Sequence, residues 1–182
     1  MPKKKWQEME AAGVKVGAFF PATLGRINLR VNYRNHRKIV VIDGKIGDVG
    51  GFNIGKEYIG KDPKFGYWRD THLKLYGDAV ISLQVRFALD WNYACRENLF
   101  KHAEYFDIPR PVEEERKRLL EGLNLPCGIQ IITSGPDARG RQIRNNYLEL
   151  FHKAKKHIYI QTPYFVPDDA VLSALQGAAK SG

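Results

Sequence analysis

The stretch "NHRKIVVIDGKIGDVGGFN", residues 35–53, holds the side chains best suited to phosphate chemistry. His36 and Lys38 stand two positions apart, and Asp43 follows downstream. Beside a phosphate, the lysine ammonium would neutralise oxygen charge while the imidazole attacks phosphorus or passes a proton. On a regular strand, His36 and Lys38 would share one face and Asp43 would lie on the other. We therefore interpret Asp43 as an orienting or turn-forming residue and not as a phosphate ligand.

A glycine pair and an asparagine complete the pattern. Gly50 and Gly51 would permit close backbone approach to an anion, and Asn53 offers an amide donor. An isolated His-x-Lys favours a plain basic hairpin, but a chance match to all six positions, at about one in twenty each, is on the order of one in sixty million starting positions. The full spacing therefore favours function. A second His-x-Lys, at His72 and Lys74, lacks the downstream pattern, and we interpret these two as strand residues.

Turn residues and hydrophobic spacing indicate the elements that must position this stretch. Asp43-Gly44 is the two-residue signal for a type I′ hairpin turn between strands over 36–43 and 45–51. A further strand over 68–77 precedes a helix capped by Asp78, which should cover one face of the sheet. The predicted inner face of that helix consists of Val80, Leu83, Phe87, Trp91 and Ala94.

Further elements are predicted on both sides of this region. A helix over 3–12, ended by Gly13, comes first and is followed by a strand over 14–20. A charged connector with three prolines occupies 104–128. After it the predicted order is strand, helix, strand, helix, over 128–135, 140–156, 157–165 and from Asp168 onward. The helix over 140–156 would group Ile143, Tyr147, Phe151 and Ala154 on one face.

Alternating strands and helices predict an α/β fold in two parts. We expect the first part over 1–103, the connector over 104–128, and the beginning of a second part over 129–182. The formal charge of +9 indicates a surface that attracts anions. Cys95 and Cys127 match no metal-binding spacing, which fits a reducing compartment such as the cytoplasm. No apolar run is long enough to span a membrane, and the N-terminus lacks the apolar core of a signal peptide.

The stretch resembles the HKD motif of the phospholipase D superfamily. The phrases "NYRNHRKIVVIDG", "GGFNIG", "FGYWRDTHL", "SGPD" and "YIQTPYFVPD" resemble the bacterial cardiolipin synthases within it. The resemblance implies a mixed sheet flanked by helices, of which this chain holds the C-terminal part of the first half and the start of the second. It also implies phosphatidyl transfer between two phosphatidylglycerol molecules, giving cardiolipin and glycerol through a phosphohistidine, without metal or other cofactor.

The resemblance assigns the site residue by residue. His36, Lys38 and Asp43 take the HKD roles, and Lys38 and Asn53 would contact the phosphate. Gly51 stands where many superfamily members have a serine, so a hydroxyl contact is lacking. Asp70, in "WRDTHL", stands where the family has a carboxylate that hydrogen bonds to a catalytic histidine and stabilises its cationic form. The alternative for Asp70 is a strand-edge acid paired with Arg69 or Lys74.

Only one HKD pattern is present, because His72, His102, His152 and His157 begin no second one. In the family, two such motifs meet at one cleft. We therefore expect a central fragment whose partner motif lies in cis in the full-length protein, and we expect the fragment alone to be inactive. The resemblance implies phosphatidylglycerol and an anionic membrane surface as partners, no nucleic acid, and location at the bacterial cell membrane.

Two rival functions stay open. One is a phospholipase D-like phosphodiesterase that hydrolyses lipid or nucleic acid, and the other is a non-catalytic basic module that binds membranes. Phe65, Tyr67 and Trp68, beside Lys61 and Lys64, either meet a membrane interface or pack in the core. A second basic cluster either attracts acidic lipid or forms the solvated end of a helix. It consists of Lys153, Lys155, Lys156 and His157.

Overall fold

The computed structural model describes residues 2–19, 35–107, 117–118, 121, 127–135 and 138–181. Its helices and strands are α1 (Lys3–Ala11), β1 (Ile39–Ile42), β2 (Ile46–Gly50), β3 (His72–Tyr76), α2 (Ala79–Cys95), α3 (Gln142–Lys153) and α4 (Asp169–Lys180). Short 3-10 helices cover Glu57–Ile59, Leu99–Lys101 and Ala103–Tyr105. The chain divides into two compact units, residues 1–131 and 132–182, and most of the predicted connector lies outside the described residues.

The first unit contains a three-stranded sheet in the order β1-β2-β3. Both pairings are antiparallel, with Ile39 opposite Val49 and Gly50 opposite His72. The predicted α/β class is confirmed. All strand pairs of the described residues are antiparallel because β1, β2 and β3 follow one another directly, and antiparallel neighbours need no long crossover.

Helix α2 covers one face of the sheet, as predicted. Val80 and Leu83 are fully buried against Leu75 of β3, and Ile39, Val41, Val49 and Ile131 pack around them. Gly47 permits this approach, since a Cβ there would lie 2.8 Å from Leu83 Cδ1. Two details of the predicted helix are wrong: Phe87 is 43% exposed, and the Asp78 side chain makes no capping hydrogen bond.

The turn between β1 and β2 follows the sequence signal closely. Asp43 and Gly44 both have positive φ, 51° and 65°, as a type I′ turn requires, and the Lys45 N–H donates to the Ile42 carbonyl over 3.0 Å. The pairing begins with Ile42 opposite Ile46, so three residues separate the paired positions instead of the predicted two. Strand β1 also starts later than predicted, at Ile39 and not at residue 36.

Gly13 ends helix α1, as predicted. Its φ of +85° is left-handed, its N–H donates to the Glu10 carbonyl, and the Val14 N–H donates to the Met9 carbonyl over 3.0 Å. This is the Schellman arrangement. The strand predicted over 14–20 is wrong for residues 14–19, which pair with no strand among the described residues, and residue 20 lies outside them. An extended segment becomes a strand only when a neighbour accepts its hydrogen bonds.

The second unit consists of α3 and α4. A helix begins beside Asp168 as predicted, and Asp168 caps it, accepting a hydrogen bond from the Val171 N–H over 3.0 Å; its carboxylate also pairs with Arg144 of α3. These hydrogen bonds hold the pKa of Asp168 below its usual value, and the one from Arg144 has the largest effect. Phe151 is buried, whereas Ile143 and Tyr147 of its predicted face are exposed. The strands predicted over 128–135 and 157–165 are wrong, because neither segment pairs with a described strand.

Candidate functional site

Three segments that carry predicted site residues meet at one end of the sheet. His36 and Lys38 immediately precede β1, Gly51 and Asn53 immediately follow β2, and Asp70 lies just before β3. Neighbouring strands are antiparallel, so the start of β1, the end of β2 and the start of β3 coincide at this end. We call these three segments the phosphate end of the sheet.

His36 and Lys38 lie in extended chain ahead of β1 and not within the strand, so strand alternation does not set their directions. His36 is exposed, and within the described part of the chain its imidazole makes no hydrogen bond. The Lys38 ammonium instead donates to the His36 backbone carbonyl over 2.7 Å. The histidine ring is thus accessible, with a cation held beside its backbone.

The neighbours of His36 are tied to helix α2 through Asp90. Arg37 Nη1 lies 3.3 and 3.2 Å from the two carboxylate oxygens of Asp90, and Asn35 Nδ2 donates to one of them over 3.1 Å. Arg86, one turn earlier on α2, also donates to Asp90. Asp90 is not among the site residues predicted from the sequence. Its signal is a carboxylate within the apolar helical run "VRFALDWNYA", where a buried acid needs partners.

Gly51 and Asp70 are in direct contact at the phosphate end. A Cβ on residue 51 would lie 2.3 Å from Asp70 Oδ2, so the carboxylate fills the space that a serine side chain would need. Asp70 accepts a hydrogen bond from the Thr71 N–H over 2.6 Å, and Lys74 lies over the Tyr76 ring. Asn53 is exposed, and its Nδ2 donates to the Tyr58 hydroxyl over 2.6 Å.

Asp43 lies at the opposite end of the sheet. It occupies the β1–β2 turn, and the length of β1 separates it from Lys38 by roughly 16 Å at the usual strand rise. The turn borders a cavity of about 600 Å³ whose walls include Phe87, Trp91 and Tyr105. The cavity contains no residue of the phosphate end, so it is separate from the phosphate chemistry predicted here.

The loop between β2 and β3, residues 51–71, joins Asn53 to Asp70 and carries an aromatic group. Tyr58 contacts Trp68 edge-on at 5.0 Å, and Phe65 contacts Trp68 at 5.9 Å. Trp68 is half-buried in this group, whereas Tyr67 is 88% exposed. Lys64 Nζ lies 5.4 Å from the Phe65 ring centre. Across the described ranges, none of the helices is sufficiently long and apolar to cross a membrane.

Known proteins similar to this chain include bacterial cardiolipin synthases. It is 49% identical over 180 residues to the major cardiolipin synthase ClsA of Bacillus subtilis. Identity is 51% over 181 residues to cardiolipin synthase 2 of Staphylococcus epidermidis, and 50% over 182 residues to the cardiolipin synthase of Staphylococcus aureus. No family model and no solved structure matches.

These matches cover nearly the whole chain but a limited part of each relative. They include 99% of this sequence and about 35% of the relatives' own length. Every segment that forms the phosphate end lies inside the matched region, since only about 1% of the chain falls outside it. The resemblance to bacterial cardiolipin synthases that was read from the sequence is confirmed: this chain is about 50% identical to them and spans about a third of their length.

Proposed function

We propose that this chain supplies one half of the active site of a cardiolipin synthase. The observation that carries the proposal is identity of about 50% to such enzymes over 99% of the chain. The arrangement of the phosphate end supports it, because a histidine, a lysine, a carboxylate and an amide come from three segments at one sheet end. The reaction is phosphatidyl transfer between two phosphatidylglycerol molecules to give cardiolipin and glycerol.

The proposed chemistry uses two histidines in two steps. A nitrogen of one histidine bonds to phosphorus while the phosphorus–oxygen bond to the glycerol headgroup breaks, and the departing oxygen takes a proton from the other histidine. A glycerol hydroxyl of the second phosphatidylglycerol then attacks phosphorus, returns a proton to that second histidine and frees the first. His36 fills one of these roles, and its partner belongs to a second motif in cis.

The remaining site residues have supporting roles in this proposal. Lys38 moves from the His36 carbonyl to the phosphate oxygens and neutralises their charge. Asn53 exchanges the Tyr58 hydroxyl for a phosphate oxygen, and Gly51 lets the backbone approach the anion. Asp70 holds the imidazole and stabilises its cation. Asp43 acts at a distance by forming the turn that sets the β1–β2 register.

An anionic membrane surface is the proposed source of substrate, which places the complete enzyme at the bacterial cell membrane. The 51–71 loop supports this, since it joins two segments of the phosphate end and exposes apolar side chains at Ile54, Ile59, Phe65 and Tyr67. Amphipathic rings and lysines are both favoured at a lipid interface. Lys61 and Lys64 of the same loop would meet the acidic headgroups.

An exchange protein tests the function directly. In it, the matching 180 residues of the Bacillus subtilis relative are replaced by the corresponding residues of this chain. Supplied with labelled phosphatidylglycerol, it should form cardiolipin and glycerol. His36→Ala should lower the rate by at least about a thousandfold with vesicle binding nearly intact, since a nucleophile or acid is lost. The matched control His72→Ala should keep its rate within about threefold.

The outcomes separate the rival functions. Release of phosphatidic acid in place of cardiolipin would identify a hydrolytic phosphodiesterase, and synthesis that survives His36→Ala would refute the assignment of His36. Vesicle binding by a folded exchange protein with no turnover would favour a non-catalytic membrane module. The 182-residue chain alone should show no turnover at dilutions that exclude dimers, because one histidine cannot be nucleophile and acid in the same step.

A further inference from the structure

We propose that Asp90 is a positioning residue for His36, an inference that rests on the proposed function. Asp90 is a buried charged residue on α2, a helix whose other buried residues are apolar. A carboxylate is costly to bury unless cations and hydrogen-bond donors surround it. Its partners among the described residues include Asn35 and Arg37, which are the residues immediately before and after His36.

The contacts hold the backbone on both sides of the histidine. Arg37 Nη1 reaches both oxygens of Asp90, at 3.3 and 3.2 Å. Asn35 donates its amide to Asp90 and, through its Oδ1, accepts the Arg37 N–H over 2.9 Å. The segment from Asn35 to Arg37 is thus closed into a tight turn and fastened to a helix.

His36 requires such contacts because the sheet itself does not fix its backbone. His36 precedes β1, so the strand hydrogen bonds that fix Ile39–Ile42 do not reach it. A catalytic imidazole misplaced by about 1 Å can lose a hundredfold in rate. Asp90 touches no reacting atom, and its effect passes through Asn35 and Arg37.

The first experiment measures the fastening in this chain itself. Amide hydrogen exchange at Arg37 should become about tenfold faster in Asp90→Asn, because the amide that replaces one oxygen repels the Asn35 and Arg37 donors. Asn35→Ala should have the same effect without altering the buried carboxylate. The control Glu97→Gln removes a carboxylate near the C-terminal end of α2 that binds Lys15 and Trp91, and it should leave the Arg37 amide unchanged.

The second experiment measures catalysis in the exchange protein at a temperature where all variants remain folded. Asp90→Asn and Asn35→Ala should each lower kcat about thirtyfold while KM stays within about twofold, and the double variant should lose little more because both act through one segment. Glu97→Gln should keep kcat and KM. A purely structural role would lower the amount of folded enzyme and leave kcat per folded molecule unchanged.

Each outcome bears on a separate claim. Unchanged Arg37 exchange in Asp90→Asn would overturn the positioning role whatever happens to catalysis. Faster exchange with unaltered kcat would also overturn it, since the fastening would then not matter to the reaction. If His36→Ala retains full synthesis, the proposed function fails first, and the exchange result still reports whether Asp90 orders residues 35–37.

Discussion

The pattern His-x-Lys occurs twice in the described residues, at His36 and at His72. The first copy lies ahead of the sheet and the second lies within it. His72 lies in the sheet, opposite Gly50, and its Nε2 is 3.4 Å from Asp48 Oδ1 on the neighbouring strand. Lys74 follows in the same strand, with its ammonium over the Tyr76 ring. Both side chains of this copy have partners inside the sheet.

His36 has its support outside the sheet. Its neighbours are held by α2, and its imidazole is exposed without a hydrogen bond to any described residue. The contrast shows that the same pattern can occur in two different structural settings. A histidine in a strand ladder is directed by its cross-strand partner, whereas one ahead of the strand can be ordered through its backbone and leave the ring available to substrate.

The largest difference between the two copies is expected when the lysine of each is replaced by methionine. In the exchange protein, Lys38→Met should lower kcat/KM about a thousandfold, roughly 4 kcal/mol of transition-state stabilisation, because the proposed role of Lys38 is to neutralise the phosphate. Lys74→Met should keep kcat/KM within about twofold. Steady-state rates on mixed vesicles measure both. Equal losses in the two variants would show that the copies are not functionally distinct.

The two carboxylates provide the next comparison. Asp70→Asn should lower kcat about a hundredfold, because Asp70 is proposed to stabilise a cationic imidazole and a neutral amide cannot do so, although its oxygen can still accept the Thr71 N–H. Asp48→Asn, which alters the partner of His72, should change kcat by less than about twofold. Single-turnover kinetics with labelled lipid would give both values. A larger effect of Asp48→Asn would contradict the prediction, because it would assign the catalytic carboxylate to His72 and not to His36.

Local chemistry explains which parts of this arrangement could be predicted. Asp43-Gly44 specifies its turn because few residues tolerate two successive positive φ values. Gly13 ends α1 because glycine adopts a single positive φ without strain. The Arg37–Asp90 contact joins residues 53 positions apart, and no local pattern encodes such a pair. The segment 157–165 has strand composition, but composition supplies no neighbouring strand.

A smaller effect on kcat is expected from substitutions at the adjacent glycines, Gly50 and Gly51. Gly51→Ala places a methyl group against the Asp70 carboxylate, where the Cβ would be 2.3 Å from Oδ2, so Asp70 must turn away. We expect kcat to fall about tenfold with little change in stability, since a short side chain can move. Gly50→Ala would displace His72 instead, with its Cβ 2.3 Å from Nδ1, and should cost less activity. A larger loss at residue 50 would contradict the contrast.

The two histidine substitutions should affect stability in the opposite order to activity, with the larger loss of stability in His72→Ala. His72→Ala removes a cross-strand partner of Asp48 and should lower the free energy of unfolding by about 0.5 kcal/mol, a typical size for a partly exposed pair. His36→Ala should change it by less, because the exposed imidazole has no hydrogen-bond partner among the described residues. Urea unfolding of the 182-residue chain measures both. If His36→Ala were the more destabilising variant, its ring would be part of the packing, and the division between a structural histidine and an available one would fail.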